Sequence, residues 1–435
     1  MKKLVFLFIL TGSISSALGQ STTKQKVFTE DIDRFWVAYD SIRTTTDRAR
    51  QLAFINNLYI KPGTEGLAAF MEARDYTAEM WVELINKLPK YWASIRPNTL
   101  AVKTKTRDIE KSIRRFRKLY PELREASMYF TIGGLRSGGT VQRSKVLIGT
   151  EIAAGTAQTD VSEFKNPWLP SVFKEQSTDN IVPLNVHEYV HTQQHEGEAN
   201  LLGQSLKEGA CDFITELIMG KPMQGTYFTY GAAHEKELRE AFKQEMFTSR
   251  YDQWLYNGSA ASTTADLGYY MGYAISKAYY AQARNKRLAI KNIIELEYAK
   301  PDATEAFLKQ SGYFPEGWDK AALQAAFAAH QPVVVGTMPA TGSTAELDAS
   351  ERTLVIQFDR EMGEGTSISP GPRGKEYFPL KKPVGFSADH KSFTVEMDLQ
   401  PKHEYEFVVT VMPRGFKSKD GYLLRQEHTV RFKTK

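Results

Sequence analysis

The chain has 435 residues, of which 42% are hydrophobic, 12% aromatic and 25% charged. These proportions exclude a largely disordered or fibrous protein, and a chain of this length is expected to hold more than one domain. Its 56 lysines and arginines exceed the 51 acidic residues by little, which gives a net charge of +5. Because the excess is small and no basic stripe concentrates it, we predict that nucleic acid is not a partner.

Residues 1–19 are predicted to be an export signal that is removed from the mature protein. Two lysines precede an apolar run over residues 4–10, and Ala17 and Gly19 are the small residues that a cleavage site requires. The run is too short to span a membrane, and no later stretch reaches about 18 apolar residues. We therefore expect a periplasmic or extracellular protein without stable membrane insertion.

The part of the chain that follows the signal has a hydrophobic pattern typical of helices. Apolar residues such as Ile32 and Phe35 recur at the spacing that places side chains on one helix face. Two strands are predicted to interrupt the helices, at residues 128–132 and 145–150. The glycine-rich residues 133–139 between them predict a turn that joins the two strands as a hairpin.

After residue 331 the composition changes to short β-rich runs that are separated by turn residues. These runs lie at residues 354–358, 393–397, 405–411 and 429–432. Such a series predicts a small β-sandwich. The expected fold class is therefore multidomain: after the signal at 1–19 comes a mainly α (α+β) domain at residues 20–331, followed by an all-β sandwich at residues 332–435.

The strongest chemical signal is the pentapeptide His187-Glu188-Tyr189-Val190-His191. On a helix, positions i and i+4 share one face, so both imidazoles can reach one ion while Glu188 lies beside the open coordination position. Zinc suits this pattern, because the ion lowers the pKa of water and the carboxylate can then take a proton. We predict His187 and His191 as metal ligands, Zn2+ as the cofactor and Glu188 as the general base.

Glu208 is the candidate for a third metal ligand, on a second helix packed against the first. Asp212 lies one turn further on and would accept the distal N–H of a ligand histidine. Gly209 is unfavourable inside a helix, which is explained if two helices must approach closely there. The alternative is that Ser205 and Glu208 form a capping box at the start of the helix, in which case the carboxylate would close on the backbone.

The remaining chemistry-bearing side chains receive weaker assignments. His195 lies eight residues from the first histidine of the motif, too far along a helix to share its ion, and is predicted to lie at the surface or at the edge of the site. Cys211 is expected to be a small buried residue. The developing oxyanion needs a donor, for which Tyr269 is the candidate, with Tyr273 on the same helix face and His234 as further options.

These residues resemble the zincin clan, and within it the gluzincins, which pair an HExxH motif with a glutamate on a following helix. Glu208 and Asp212 are similar to the Glu-x-x-x-Asp pattern of that clan. The chain also resembles, over residues 129–313, a bacterial family of predicted zinc-dependent proteases related to a gliding-motility lipoprotein. The residues that it shares with this family are the HExxH motif, Lys207-Glu208-Gly209-Ala210 and Gly268-Tyr269-x-x-Gly272.

The resemblance implies a zincin-like catalytic domain with metal ligands at His187, His191 and Glu208, a general base at Glu188 and possible donation by Tyr269. In zincins an edge strand beside the active-site helix holds the extended substrate, and one of the two predicted hairpin strands is the candidate for that edge. The C-terminal part resembles a bacterial Ig-like domain, a type that usually acts as a spacer or adhesion module. No cysteine lies near the cleavage site to accept a lipid, so no motility role is transferred.

The sequence therefore predicts an exported zinc-dependent hydrolase, most simply a peptidase that acts on peptide or protein substrates. The alternative is a non-catalytic surface or periplasmic binding protein with a structural or vestigial zinc site and an Ig-like adhesion module. An amidase is also compatible with the motif, because HExxH chemistry does not specify the acyl group. The sequence does not indicate the cleavage specificity or the oligomeric state.

Overall fold

The computed structural model describes residues 26–195, 200–258 and 264–435. The predicted export signal lies outside the described residues. Two separate hydrophobic cores are present, one built from residues between Val27 and Phe314 and the other from residues between Leu347 and Phe432. We refer to residues 26–330 as the helical region and to residues 332–435 as the β region. This order, helices first and sheets second, confirms the predicted multidomain layout.

The helical region consists of helices around a small sheet. Its helices are α1 (Glu30–Ile42), α2 (Arg48–Ile55), α3 (Glu65–Arg74), α4 (Ala78–Lys87), α5 (Pro89–Ala101), α6 (Thr106–Leu119), α7 (Thr150–Ala153), α8 (Trp168–Glu175), α9 (Ile181–His191), α10 (Leu201–Met219), α11 (Thr226–Ala233), α12 (Glu235–Glu245), α13 (Leu267–Gln282), α14 (Lys286–Ile294), α15 (Pro301–Ser311) and α16 (Lys320–His330). Helix α1 buries Ile32 and Phe35, as their spacing predicts. None of the helices in the described part is long and apolar enough to cross a membrane.

The small sheet differs from the predicted hairpin. Its strands are β1 (Val27–Phe28), β2 (Ser127–Thr131), β3 (Gly139–Gln142) and β4 (Lys145–Gly149), in the order β1-β2-β4-β3. Strands β2 and β4 are the two predicted strands, but they pair in parallel, so the prediction that they form a hairpin is wrong. The glycine-rich segment between them is long enough to cross over and return as β3, which is antiparallel to β4. Parallel pairing requires such a crossover.

The true hairpin is β3–β4, and its tight turn consists of Arg143 and Ser144. Arg143 has φ +55°, the left-handed conformation that two-residue hairpin turns require. Among the described residues, strands β1 and β3 are therefore the edges of the sheet, and both predicted strands lie inside it. The prediction that one of those two strands forms the edge is wrong, because the residues assigned to the turn form the edge themselves.

Helices α10 and α13 cross at unusually short range. A Cβ atom on Gly209 would lie 2.0 Å from the backbone nitrogen of Tyr273, and one on Gly272 would lie 1.7 Å from the carbonyl oxygen of Ser205. Side chains are sterically excluded at both positions, since non-bonded carbon atoms sit at about 3.5–4.0 Å. A close helix approach occurs at Gly209 as predicted, but its partner is the backbone of α13 around Gly272 and not the HExxH helix.

The β region contains two four-stranded sheets that share one core. The first has the order β5-β7-β10-β9 and the second β6-β12-β11-β8. Their strands are β5 (Val334–Met338), β6 (Glu346–Leu347), β7 (Thr353–Phe358), β8 (Ile368–Pro370), β9 (Leu380–Phe386), β10 (Ser392–Met397), β11 (Glu404–Val409) and β12 (His428–Thr434). Alternating buried residues from both sheets, such as Ile356 and Phe407, meet in the core. The four predicted β-rich runs match β7, β10, β11 and β12.

Candidate metal centre

Helix α9 presents the two histidines of the pentapeptide on one face. His187 is 6% exposed, and its Nε2 lies 3.1 Å from Nε2 of His191, one turn away. The helix is held against the start of β2 because the hydroxyl of Tyr189 accepts a hydrogen bond of 3.2 Å from the backbone N–H of Ala126. The sequence of the motif thus folds locally as a helix whose imidazoles converge, as its spacing predicts.

Helix α10 brings Glu208 to the same point. Its Oε2 lies 3.1 Å from Nε2 of His191 and 3.5 Å from Nε2 of His187. The helix begins at Leu201, and the side chain of Asn200 caps it by accepting a 3.0 Å bond from the N–H of Gly203. Glu208 therefore lies well inside the helix, so the capping-box alternative is excluded. The helix ends at Met219, followed by a left-handed glycine.

The other nitrogen of each imidazole already has a partner. Nδ1 of His187 lies 2.7 Å from Oδ1 of Asp212, and Nδ1 of His191 lies 2.7 Å from the side-chain oxygen of Gln194. Both partners are acceptors, so in the neutral imidazoles each Nδ1 carries the proton and each Nε2 keeps a lone pair. Asp212 is itself held by the hydroxyl of Tyr227, which donates to its Oδ2 at 2.9 Å. Asp212 thus occupies the position predicted for it, behind His187.

Three acceptor atoms consequently face one another, two Nε2 atoms and Oε2 of Glu208. An ion that binds nitrogen and oxygen at about 2.0–2.2 Å with tetrahedral angles separates its ligand atoms by about 3.3 Å. The separations of 3.1, 3.1 and 3.5 Å fit that requirement. These residues could hold a metal ion, since lone pairs at such distances repel unless a cation or proton lies between them.

The electrostatics of the site favour a positive charge at this point. Burial alone would lower the pKa of His187, but Asp212 and Glu208 outweigh it and hold that pKa well above its ordinary value. Burial alone would raise the pKa of Glu208, but His191 and His187 hold it well below its ordinary value. The carboxylate is therefore ionised, and its surroundings favour a cation.

Cys211 forms an alternative ligand cluster with the same histidines. Ligand-type atoms of His187, His191 and Cys211 lie within 4.8 Å of one another. However, the sulfur of Cys211 lies 3.3 Å from Nδ1 of His191, whereas Glu208 faces the Nε2 side of that ring. Burial raises the pKa of the thiol well above its ordinary value, and the thiolate is the metal-binding form. Glu208 is therefore the better third ligand, and Cys211 packs behind His191.

The point where the two imidazoles and Glu208 converge opens on a cleft of about 1050 Å³. Glu188 lines this cleft together with His191, Glu208 and Tyr269. Helix α9 packs against the edge strand β3. A Cβ atom on Gly139, the first residue of that strand, would lie 3.6 Å from the carboxyl carbon of Glu188. The half-buried side chain of Glu188, which follows His187 in the motif, therefore lies against β3, an edge strand among the described residues.

The edge strand also turns part of its backbone towards this cleft. The N–H of Gly149 donates to the carbonyl of Gly138 at 3.1 Å, which makes 138 and 149 a hydrogen-bonded pair. Because such pairs alternate along an antiparallel ladder, Gly139 and Val141 direct their backbone polar groups away from β4. Gly139, Thr140 and Val141 all line the cleft.

Tyr269 lies in the wall of the cleft, with its ring 6.2 Å from that of His187. Burial and the nearby charge of Glu208 raise the pKa of its hydroxyl well above the ordinary value, so it remains a donor. Tyr273 is not in the site, because its hydroxyl donates to Glu216 at 2.5 Å. His234 is exposed and stacks on Tyr230 outside the cleft lining.

His195 is exposed at the edge of the cleft, where it was predicted to lie. Three further residues of the site had no assignment from sequence: Gln194, Gln204 and Tyr256. The amide of Gln194 donates to the carbonyl of Lys207 at 2.8 Å, so the residue links α9 to α10. Its position three residues after His191 is a local signal that could have indicated this role.

No local feature of the sequence indicates that Tyr256 belongs to the site. Its hydroxyl donates to Oε1 of Glu208 at 2.9 Å and accepts from the amide of Gln204 at 2.6 Å. Its backbone has φ +58°, an uncommon conformation for a residue with a large side chain. Tyr256 therefore fixes the oxygen of Glu208 that faces away from the histidines, through a contact between residues 48 apart in sequence.

Comparison with known proteins adds little to this geometry. No family model and no curated protein matches the chain. Among solved structures, the crystal structure of CopC from Methylosinus trichosporium OB3b aligns with 18% sequence identity over 24% of this chain and 93% of that chain, with a TM-score of 0.19. A TM-score this low supports no inference about fold or function.

Proposed function

We propose that this protein is a zinc-dependent hydrolase, most simply a peptidase. The observation that carries the proposal is the convergence of two Nε2 atoms and one carboxylate oxygen, 3.1–3.5 Å apart, in the wall of a cleft that Glu188 also lines. Two imidazoles and one carboxylate form a donor set that zinc accepts in catalytic sites with three protein ligands. His187, His191 and Glu208 would hold the ion. Bound there, the ion would supply Lewis acidity, polarising a carbonyl and lowering the pKa of water.

Glu188 is the proton carrier in this proposal. Its carboxylate takes a proton from the attacking water, whose oxygen forms a bond to the carbonyl carbon of the substrate. The same carboxyl then gives that proton to the amine nitrogen as the carbon–nitrogen bond breaks. Tyr269 donates a hydrogen bond to the carbonyl oxygen as negative charge develops on it. Asp212 and Gln194 keep the two imidazoles in the required tautomer.

Strand β3 supports a peptide as the substrate. An extended chain could pair with the polar backbone groups that Gly139 and Val141 direct away from β4. Such pairing would place a peptide bond next to Glu188, because the first residue of β3 lies against that carboxylate. An amidase with a small substrate would have no use for a strand edge along its cleft.

The open cleft disfavours a purely structural zinc site. Structural sites are closed by four protein ligands, whereas this one has three ligands and opens on a cleft with an additional carboxylate. We further propose, on the resemblance of the sequence motifs, that the helical region is a gluzincin-like domain and the β region an Ig-like module. Export rests on the composition of residues 1–19.

The test combines zinc content with peptide hydrolysis. The purified protein, incubated with zinc and desalted, is expected to retain about one zinc ion per chain, and Glu208→Ala is expected to lose most of it. Glu188→Gln should keep the zinc but lose about 100- to 10,000-fold in the hydrolysis of a peptide library. Glu237→Gln, which changes an exposed glutamate on α12, is the matched control and should change neither quantity.

Two results would contradict the proposal. If the wild-type protein retains no zinc, the metal centre is wrong. If Glu188→Gln hydrolyses peptides at the wild-type rate with zinc bound, the role of the general base is wrong. Retained zinc without turnover of any peptide would favour the non-catalytic binding protein.

A further inference from the structure

The cleft next to Glu188 is rich in cationic side chains that form no ion pair with an acidic group among the described residues. Arg74, Arg124, Arg143 and Lys207 all line it. Arg124 and Arg143 are exposed, and the other two are half-buried. Within the described residues, none of the four forms an ion pair. Elsewhere on the surface cations are commonly paired, as Arg96 is with Asp40 at 2.6 Å.

The acidic side chains in the same lining do not balance these four charges. Glu125 is bound by Lys26 at 2.7 Å and also by Arg117, so its charge is already offset. Glu188 and Glu208 belong to the proposed metal centre, where a divalent ion would offset both. The described lining of the cleft therefore carries an excess of positive charge, and a cleft lined by one sign of charge attracts ligands of the other sign.

The positions of two arginines indicate how far this field extends from the reacting bond. Arg143 follows β3 directly, four residues beyond Gly139, or about 13 Å along an extended chain. Arg124 lies near the end of α9, where its guanidinium donates to the carbonyl of Thr192 at 3.1 Å. A peptide paired with β3 would carry side chains past Arg143 within about four residues of the bond next to Glu188, and Arg124 lines the same cleft.

We propose that the substrates are extended peptides with acidic side chains, recognised by Arg74, Arg124, Arg143 and Lys207 along the cleft. This inference rests on the proposed peptidase function, because it names the substrate class of the same site. Arginine recognises carboxylates through paired hydrogen bonds, and partial desolvation in a cleft strengthens such pairs relative to the open surface. The net charge of the whole chain, +5, does not reveal this local concentration.

The experiment uses three peptides with one central sequence and flanking residues that are acidic, neutral or basic. All three are acetylated and amidated, so that side chains carry the only charges and a terminal carboxylate plays no part. With the zinc-loaded full-length protein, kcat/KM for the acidic peptide is expected to exceed that for the basic peptide by at least about tenfold at low salt. The ratio should shrink as the ionic strength rises.

Charge reversal identifies the residues responsible. Arg124→Glu and Arg143→Glu should each lower kcat/KM for the acidic peptide by about three- to tenfold and raise it for the basic one. Arg107→Glu is the matched control, because Arg107 is exposed on α6 and lies outside the cleft lining. That variant should leave all three values unchanged.

Binding is measured separately with fluorescently labelled peptides. The Glu188→Gln variant is used for this measurement, because a variant that does not hydrolyse the peptides leaves them intact while they bind. Stronger binding of the acidic peptide supports the inference even if no peptide is cleaved. In that case the proposed hydrolase function is wrong, but the conclusion that the cleft binds acidic peptides still stands. Equal binding and equal cleavage of all three peptides would overturn the inference and leave the hydrolase intact. A preference that Arg124→Glu and Arg143→Glu do not alter would overturn the assignment to these residues.

Discussion

Glu208 in the helical region and Glu406 in the β region are both buried carboxylates, but their surroundings are opposite. Glu406 is surrounded by donors, with Nε of Arg431 at 2.5 Å and the backbone N–H of Arg373 at 3.1 Å. Glu208 directs one oxygen towards the lone pairs of two imidazoles. The donors around Glu406 come from the chain itself, whereas the acceptor atoms that face Oε2 of Glu208 leave a place that suits a cation.

Two other buried carboxylates in the helical region follow the pattern of Glu406. Asp31 accepts hydrogen bonds from Arg34 at 2.7 Å and from the backbone N–H of Thr64 at 3.1 Å. Glu151 accepts from the backbone N–H of Gly133 at 2.7 Å. Burial of an acidic residue is therefore not by itself a sign of function, since most buried polar groups are satisfied internally. What distinguishes Glu208 is that its Oε2 faces two imidazole nitrogens held in place by other residues, while Tyr256 donates only to its Oε1.

The largest effect on stability is expected where the helical region supports the metal centre. Gly209→Ala would force a methyl group to within 2.0 Å of the backbone of α13, which cannot move aside as a side chain can. We expect a loss of about 3 kcal/mol or more in the free energy of unfolding, measured with urea, because overpacking against backbone separates two helices. Zinc affinity should fall as well, since α10 carries Glu208 and Asp212.

The β region provides the control for this prediction. Gly342→Ala adds a methyl group where no atom lies within 4 Å, and we expect a change within about 0.5 kcal/mol. If Gly209→Ala is as stable as Gly342→Ala, the helices are not in close contact at that point. The difference between the two variants thus measures how tightly α10 and α13 pack.

A second prediction concerns the buried carboxylate of Glu151. Burial raises its pKa from 4.5 to about 7, in spite of the backbone N–H groups that it accepts from. The folded protein therefore holds the proton more tightly than the unfolded chain. This contribution to stability is fully present below pH 4.5 and is lost as the pH rises to about 7.

Glu151→Gln removes the titrating group and keeps one oxygen acceptor. Between about pH 4.5 and 7 the stability of the wild type relative to this variant should fall by about 3 kcal/mol, the equivalent of the pKa shift. Urea denaturation across that range measures it, and other titrating groups cancel in the difference. If the difference in unfolding free energy between the wild type and Glu151→Gln does not change with pH, then burial does not raise the pKa of Glu151.

The sequence was a good guide to this protein wherever the relevant contacts are local. The HExxH helix and the strands of the β region follow from spacing and alternation within a few residues. The position of Glu208 needed the additional assumption that α9 and α10 pack together, whereas Gly209 indicates the approach of α10 to α13. The layout of helices followed by sheets could likewise be read from the change in composition after residue 331.

Contacts between distant residues were not predictable in this way. Strand β3 was missed because glycine-rich residues are typical of turns, and the pairing that makes Gly139 part of a strand is supplied by β4. Tyr256 reaches Glu208 from a segment whose backbone conformation no neighbouring residue indicates. The cationic lining of the cleft could not be predicted from the sequence either. Arg74, Arg124 and Arg143 lie far apart in the chain, and only the folded structure brings them to one cleft.

A third prediction tests whether Asp212 acts by positioning His187. Asp212→Asn keeps the shape of the side chain but removes the charge and can present its amide nitrogen to the imidazole. We expect zinc affinity to fall by about 10- to 100-fold, measured by competition with a chelator, because the acceptor behind a ligand histidine sets its tautomer. Glu406→Gln is the matched control in the β region, and it should leave zinc affinity unchanged.

The smallest expected effect lies where the two regions meet. Arg360 of the β region donates to the carbonyl of His330 at 2.8 Å and to that of Ala329 at 3.1 Å, at the C-terminal end of α16. A cation at a helix C-terminus contributes about 0.3–1 kcal/mol, which salt screens. Arg360→Gln should therefore lower the free energy of unfolding by less than about 1 kcal/mol, with Arg107→Gln as a control that changes nothing.

Zinc affinity and peptide hydrolysis should be the same in Arg360→Gln as in the wild type, because the residue lies outside the cleft lining. A loss of hydrolysis in this variant, with zinc still bound, would mean that the β region influences the cleft through α16. The contrast between a β region that satisfies its own buried charges and a helical region that carries the proposed metal centre would then have to be replaced by one in which the two act together.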